Sequence, residues 1–291
     1  MSHSSHNPSI RALVITGFGL NCEAETAHAF RLAGALPEKV HLNDLLDGHR
    51  SLDEFHILAF IGGFSFGDHI ASGRVLANRL KHRLAEPLAR FIADGKLIIG
   101  ICNGFQTMVK LGILPGLDGD YRRQTVTLTH NDSGVFRDAW VTLRIESESP
   151  CIFTRGIETL ELPVRHGEGK FLALDDKILD RLEREGLVAC RYADPATGEP
   201  TVRFPHNPNG SVAAIAGICD PTGRIFGLMP HPEAHLFPWN HPHYFRRRAG
   251  GAGVPPASCE GDGLAIFRNA VAFARQAFPV ADGRELHSLT R

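Results

Sequence analysis

The run Leu97-Ile98-Ile99-Gly100-Ile101-Cys102-Asn103-Gly104-Phe105-Gln106 decides how this chain folds. Leu97 to Ile101 are apolar or small and predict a buried strand. Phe105-Gln106-Thr107-Met108-Val109-Lys110-Leu111 has helical spacing and closes at Gly112. Cys102 falls on the sharp turn between them. Gly-x-Cys-x-Gly is the cysteine counterpart of the nucleophile elbow, in which small neighbours let the chain turn tightly enough to lift a nucleophile above the sheet. A thiol there stands at a helix N-terminus, whose unpaired N–H groups and positive dipole end favour the thiolate. Cys102 is therefore the candidate nucleophile, weighed against one more buried apolar cysteine.

Upstream, Arg11 to Thr16 predicts a first buried strand, followed by a turn at Gly17 to Leu20. Asn21 is placed to cap the next helix, with Glu23 and Glu25 in its first turn and Ala27, Phe30 and Ala33 as its apolar stripe. Short strands are expected at Lys39 to Leu42 and at His56 to Ile61. The second runs into Gly62-Gly63-Phe64-Ser65-Phe66-Gly67-Asp68. Strand, loop, helix and strand at this spacing predict βαβ units, hence an α/β fold with a parallel sheet and helices on both faces. Gly62-Gly63 does not continue as GxGxxG, and no GxxxxGK[ST] occurs, so phosphate binding is disfavoured. The other use of such glycines is to present backbone N–H groups to a developing oxyanion, with a plain tight turn as the alternative. Loops at the carboxyl ends of neighbouring strands share one crevice, so Gly62-Gly63 and Cys102 belong together. Ala71 to Phe91 has helical spacing with an expected break or kink at Pro87.

Downstream, Gln124 to Thr129 and Ala139 to Ile145 alternate and predict antiparallel strands. They flank Thr129-His130-Asn131-Asp132-Ser133-Gly134, a binding loop or a hairpin connection. Pro163 to Gly169 is a similar stretch, and Asp194 to Gly210 reads as an irregular loop. Ile225 to Met229 is the last buried strand and leads into Pro230-His231-Pro232-Glu233. In extended chain, residues two apart share a face, and Pro232 is expected to keep the segment extended. Glu233 is then placed to fix the tautomer of His231 and to support its charge during proton transfer. His231, His235, His241 and His243 raise a zinc reading, but the prolines among them oppose a regular helix and no cysteine pair joins, so no metal is assigned. Arg246 to Gly261 is expected to be a surface loop and Gly263 to Phe278 a final amphipathic helix.

With Lys+Arg 31 against Asp+Glu 32 and a net charge of -1, the composition argues for neither a nucleic-acid nor a membrane partner. The cysteines at 22, 102, 151, 190, 219 and 259 are scattered without a CxxC pair, as expected of free thiols in a reducing compartment. Residues 1–9 are polar, so no signal peptide is expected, and no apolar run approaches the roughly 20 residues that span a bilayer. The expectation is a cytoplasmic protein. It would have a disordered segment at 1–9, a single domain at 10–280 and a tail at 281–291.

Gly62-Gly63, Cys102 in Gly-Ile-Cys-Asn-Gly, and His231-Pro-Glu233 stand in the order that resembles the class I glutamine amidotransferases. Cys-Asn-Gly-Phe-Gln, Thr-His-Asn-Asp-Ser-Gly, His-Gly-Glu-Gly-Lys-Phe, Asn-Pro-Asn-Gly-Ser and Gly-Leu-Met-Pro-His-Pro-Glu are similar to the glutaminase subunits of phosphoribosylformylglycinamidine synthase over about residues 11–278. The resemblance implies a flavodoxin-like, mostly parallel sheet with an antiparallel strand extension. It implies Cys102, His231 and Glu233 as a catalytic triad and N–H groups around Gly63 and Asn103 as the oxyanion hole. Gln106, Asn131, Asp132 and Ser133 would then bind glutamine. It implies no cofactor in this chain. Ammonia would pass to a synthetase partner that uses ATP and Mg to convert formylglycinamide ribonucleotide to formylglycinamidine ribonucleotide, with or without a small accessory subunit. Ala234 departs from the arginine that commonly follows His-Pro-Glu, and residues 237–261 are longer than in the simplest members. The alternatives are an amidotransferase for another acceptor or a catalytically silent regulatory subunit.

Overall fold

The computed structural model describes residues 10–249 and 260–279. The expectations for 1–9, 281–291 and the middle of the 237–261 stretch, with Cys259, lie outside the described residues. The first half alternates as the hydrophobic pattern requires. It runs β1 (Arg11–Thr16), α1 (Glu23–Leu32), β2 (Leu36–His41), α2 (Leu42–Leu46), β3 (Ile57–Phe60), α3 (Arg74–Arg83), α4 (Ala85–Ala93), β4 (Leu97–Ile101) and α5 (Asn103–Leu111). The second half is richer in strands. It runs β5 (Val126–Thr129), β6 (Arg137–Ile145), β7 (Thr159–His166), β8 (Lys170–Ala173), α6 (Asp176–Arg184), β9 (Val188–Ala193), β10 (Ile215–Cys219), β11 (Ile225–Leu228), α7 (Tyr244–Ala249) and α8 (Leu264–Ala277).

Nine strands form one sheet in the order β2-β1-β3-β4-β11-β10-β9-β6-β7. β2 through β11 in that order pair in parallel, and the rest pair antiparallel, so that only β6 and β10 run against the other strands. Every residue of β3, β4 and β11 is buried, as befits strands covered by helices on both faces. Pro37 lies in β2, an edge strand where its missing N–H costs no ladder bond on the outer side. Right-handed crossovers place α1 on one face and α3 and α4 on the other. α8 returns to pack on α1, with Phe30 and Phe267 edge to face at 5.0 Å.

Several local expectations are corrected. Cys22, not Asn21, is the N-cap of α1, and the Asn21 N–H is engaged instead with Gly62 O at 3.3 Å. β2 starts at Leu36, before the expected Lys39. The 71–91 helix is two helices that part at Leu84 rather than at Pro87. A proline ring clashes with the carbonyl four residues back, so the chain breaks one turn upstream and leaves Pro87 in the first turn of α4, where no N–H is needed. β5 and β6 are not a hairpin, because β5 pairs with β8 in a separate two-stranded sheet while β6 lies between β7 and β9. The expected surface loop from Arg246 is helical up to Ala249 in α7. Arg247 there grips Glu161 of β7 through two bonds of 2.7 and 2.9 Å.

Candidate active site

The carboxyl ends of β3, β4, β7 and β11 point the same way, which is where open α/β sheets bind ligands. Cys102 caps α5 at the end of β4 with φ 52 and ψ -109, a left-handed backbone that a non-glycine residue holds only when its surroundings impose it. The Cys102 N–H donates to Leu228 O of β11 at 2.9 Å, and the Gln106 N–H donates to Cys102 O at 3.0 Å. The glycines are required by proximity. A Cβ on Gly104 would strike the Phe60 carbonyl, and one on Gly100 the Met108 sulfur. The side chain is 5% exposed, and its thiol donates a long bond to the Arg165 carbonyl of β7 at 3.7 Å.

His231 follows β11 and is held by its N–H to Pro163 O at 2.8 Å. Contrary to expectation, Pro232 does not keep the chain extended. It opens a single 3-10 turn, Pro232–Ala234, and this turn swings Glu233 Oε1 to 2.6 Å from His231 Nδ1. Both side chains are buried, and among the described residues neither His231 Nε2 nor Glu233 Oε2 has a hydrogen-bond partner of normal geometry. Burial works against a charged ring here. The Glu233 carboxylate and the thiols of Cys102 and Cys22 outweigh it, and the imidazole pKa stands well above its ordinary value. A histidine with a carboxylate on Nδ1 and a bare Nε2 near a thiol is equipped to accept and return a proton.

Gly63 faces Leu20 across an isolated antiparallel bridge. The bonds of that bridge are exchanged by the flanking residues, Asn21 N–H to Gly62 O and Phe64 N–H to Gly19 O, so the bridge does not consume the Gly63 N–H. The Asn103 N–H is the first of α5, where helix geometry supplies no acceptor. The Asn103 side chain is locked. Its Oδ1 accepts from the Ser65 N–H at 3.4 Å, and its Nδ2 donates to Asp68 Oδ1 at 3.1 Å and Gln106 Oε1 at 3.2 Å.

Gln106 lies one turn along α5, buried, and its Nε2 donates to the Glu168 carbonyl in the turn after β7. Asn131 spends its whole carboxamide on backbone and on one ring. Nδ2 donates to Val135 O at 3.0 Å and His166 O at 2.8 Å, while Oδ1 accepts from the Gly169 N–H at 3.0 Å and meets His166 Nδ1 at 3.1 Å. Asp132 pairs with Lys170 at 2.6 Å, and Ser133 turns its hydroxyl to Val135 O at 3.4 Å. The loop and the β7 turn are thus bracketed together as one wall, and only one of its three expected residues is buried.

Sequence reasoning passed over Asp68, Glu168 and Cys22. Asp68 accepts from Asn103 and from the Ser72 hydroxyl, and Glu168 accepts from the Ser72 N–H at 3.2 Å, which ties the 62–73 segment to α5 and to the β7 turn. Glu168 was visible in the motif His166-Gly-Glu-Gly but its partner lies far away in the chain. Of the four histidines weighed for zinc, His235, His241 and His243 lie ring to ring at 5.8 and 5.3 Å, but among the described residues the four do not gather their donor atoms as a metal site would. His235 Nδ1 meets Glu161 O at 2.7 Å and His241 packs on Trp140 at 4.4 Å. Ala234 closes its turn through its N–H to His231 O at 3.2 Å.

Comparison with known proteins matches a family model described as the CobB/CobQ-like glutamine amidotransferase domain to residues 9–274. The phosphoribosylformylglycinamidine synthase subunit PurQ of Dehalococcoides mccartyi is 46% identical over 270 residues, covering 92% of this chain and 98% of that one. Its counterpart in Methanococcus maripaludis is 43% identical over 272 residues, covering 90% and 97%. The phosphoribosylformylglycinamidine synthase of Dictyostelium discoideum is 34% identical over 278 residues, which are 92% of this chain and 20% of that one. A chain of the solved PurLQS structure from Thermotoga maritima superposes with a TM-score of 0.63 at 29% identity, covering 91% of this chain and 99% of that one.

Proposed function

The chain belongs to the CobB/CobQ-like glutamine amidotransferase family, and from that premise we propose that it is the glutaminase subunit of phosphoribosylformylglycinamidine synthase. It hydrolyses glutamine and delivers ammonia to a synthetase partner, which uses ATP to make formylglycinamidine ribonucleotide in purine biosynthesis. Its relatives in the two prokaryotes carry that subunit's name at nearly full length, and the Thermotoga structure is named for an assembly of this kind. No helix among the described residues is long and apolar enough to cross a membrane, which is compatible with work in the cytoplasm. ATP and Mg belong to the partner, and this chain needs no cofactor.

The observation that carries the mechanism is an imidazole whose Nδ1 is 2.6 Å from Glu233 Oε1 and whose pKa is raised in part by Cys102, the strained thiol that caps α5. His231 Nε2 takes the Cys102 proton as sulfur attacks the side-chain carboxamide of glutamine. The Gly63 and Asn103 N–H groups receive the developing oxyanion. Return of the proton to the leaving nitrogen expels ammonia and leaves a glutamyl thioester. His231 then takes a proton from water as it attacks the thioester, releasing glutamate and the thiol. Glu233 fixes the tautomer and holds the charged ring. Gln106 and the wall of Asn131, Asp132 and Ser133 shape the pocket in which glutamine lies.

Cys102→Ala in the complex with the synthetase should abolish product formation from glutamine and spare formation from ammonium. Equal loss from both nitrogen sources overturns the assignment. Ammonium-driven synthesis that this chain never converts to glutamine use would favour another acceptor or a silent subunit.

A further inference from the structure

We propose that Cys22, His231 and Glu233 form an inhibitory site for a soft divalent cation of the zinc class. The three side chains come from the cap of α1 and the turn after β11, and their donor atoms all lie within 4.8 Å of one another. Thiolate, imidazole and carboxylate are the donors that zinc takes at short range.

Gly62 shows how closely the thiol and the ring gather. A Cβ built there would lie 3.0 Å from Cys22 Sγ, 2.7 Å from His231 Cε1 and 3.3 Å from His231 Nδ1. Cys22 Sγ and the Cε1–Nδ1 edge of the imidazole thus converge on one point beside Gly62. The sulfur and the ring come so close to the backbone there that residue 62 has no room for a side chain. Glu233 supplies the second pointer, since its Oε2 is buried without a partner while Oε1 is spent on Nδ1. Cys22 is half-buried, so the pocket has a route to solvent.

Binding would release the thiol proton of Cys22 and occupy a ring nitrogen of His231 together with the Glu233 carboxylate. With the metal on Nδ1 the ring carries its proton on Nε2, and with the metal on Nε2 that lone pair is taken directly; either way Nε2 no longer accepts the proton of Cys102. The site would switch off the general base without touching the nucleophile. The inhibition rests on the glutaminase reading, whereas the binding does not.

The test uses the full chain with cobalt(II) and zinc(II) as probes. In Cys102→Ala, cobalt should give a thiolate charge-transfer band at one ion per chain, and Cys22→Ala in the same background should remove it. In the active complex, zinc should inhibit glutaminase reversibly by chelator. Cys22→Ala and Cys22→Ser, each compared with its own zinc-free rate, should need more than about tenfold more zinc. A missing band in Cys102→Ala, or equal zinc sensitivity with and without Cys22, overturns the proposal. If the complex has no glutaminase activity, the proposed function fails and the cobalt spectra still decide the site.

Discussion

Glu233 touches no reacting atom in the proposed mechanism, yet it governs the residue that does. Replacing it with Gln keeps the size and a hydrogen bond but removes the charge that holds the His231 pKa up and selects its tautomer. Glu233→Gln should lower glutaminase kcat by about 100-fold or more with little change in KM, as steady-state ammonia release will show. Asn131 is a different kind of residue. Its bonds join two loops, and Asn131→Ala would leave the Gly169 N–H and the His166 carbonyl without this partner at a cost of about 1–3 kcal/mol each. The measured outcome should be a lower Tm together with a raised KM for glutamine. The triad was legible because its chemistry is written in short motifs, Gly-x-Cys-x-Gly and His-Pro-Glu. Asp68 and Cys22 were not, because the partners that tie them to the site, Asn103 and His231, lie far along the chain.

At the scale of elements, the strand-turn-helix unit around Cys102 carries the site. Its helix lies so close to β3 that Gly104 abuts the Phe60 carbonyl, with no room for a methyl group. Gly104→Ala must push α5 away or distort β3, and overpacking of this kind costs about 1–3 kcal/mol. It should lower the Tm and depress glutamine hydrolysis more than the stability loss explains, since the oxyanion N–H of Asn103 moves with the helix. The parallel half was readable because β1, β3, β4 and β11 are unbroken apolar runs ending in glycines or His-Pro. β7, β9 and β10 escaped notice. They are antiparallel strands whose pairing is set by distant neighbours, and the β5 pattern alone does not reveal that its partner is β8 rather than β6.

For the whole molecule, acid should be more damaging than the balanced charge suggests. Burial, aided by the charge of nearby His231, holds the His166 pKa down at about 3, so the folded protein refuses a proton that the unfolded chain accepts below about pH 6.5. Stability tied to this ring is full above that pH and falls as pH drops toward 3, by up to about 1.4 kcal/mol per unit. Glu54, held near 2 by Arg50, the Ser51 N–H and Arg11, and Glu38, lowered chiefly by Arg50, act later. Their contribution is present above their unfolded pKa of about 4.5 and disappears below it. Urea titrations at pH 7 and pH 5 should show the loss, and His166→Gln should flatten the slope between them.

The crevice joins Cys102 to Arg165, His231 and Glu233, parts that the ribosome delivers at very different times. A nascent chain that has released α5 carries its thiol but neither its base nor the strand whose carbonyl covers the sulfur. The hydrolytic machinery is therefore inert throughout most of translation and becomes competent only when β11 slots into the middle of a sheet whose other strands are already made. Late insertion of a central strand thus acts as a built-in delay, so that a half-made subunit lacks the base it needs to consume glutamine.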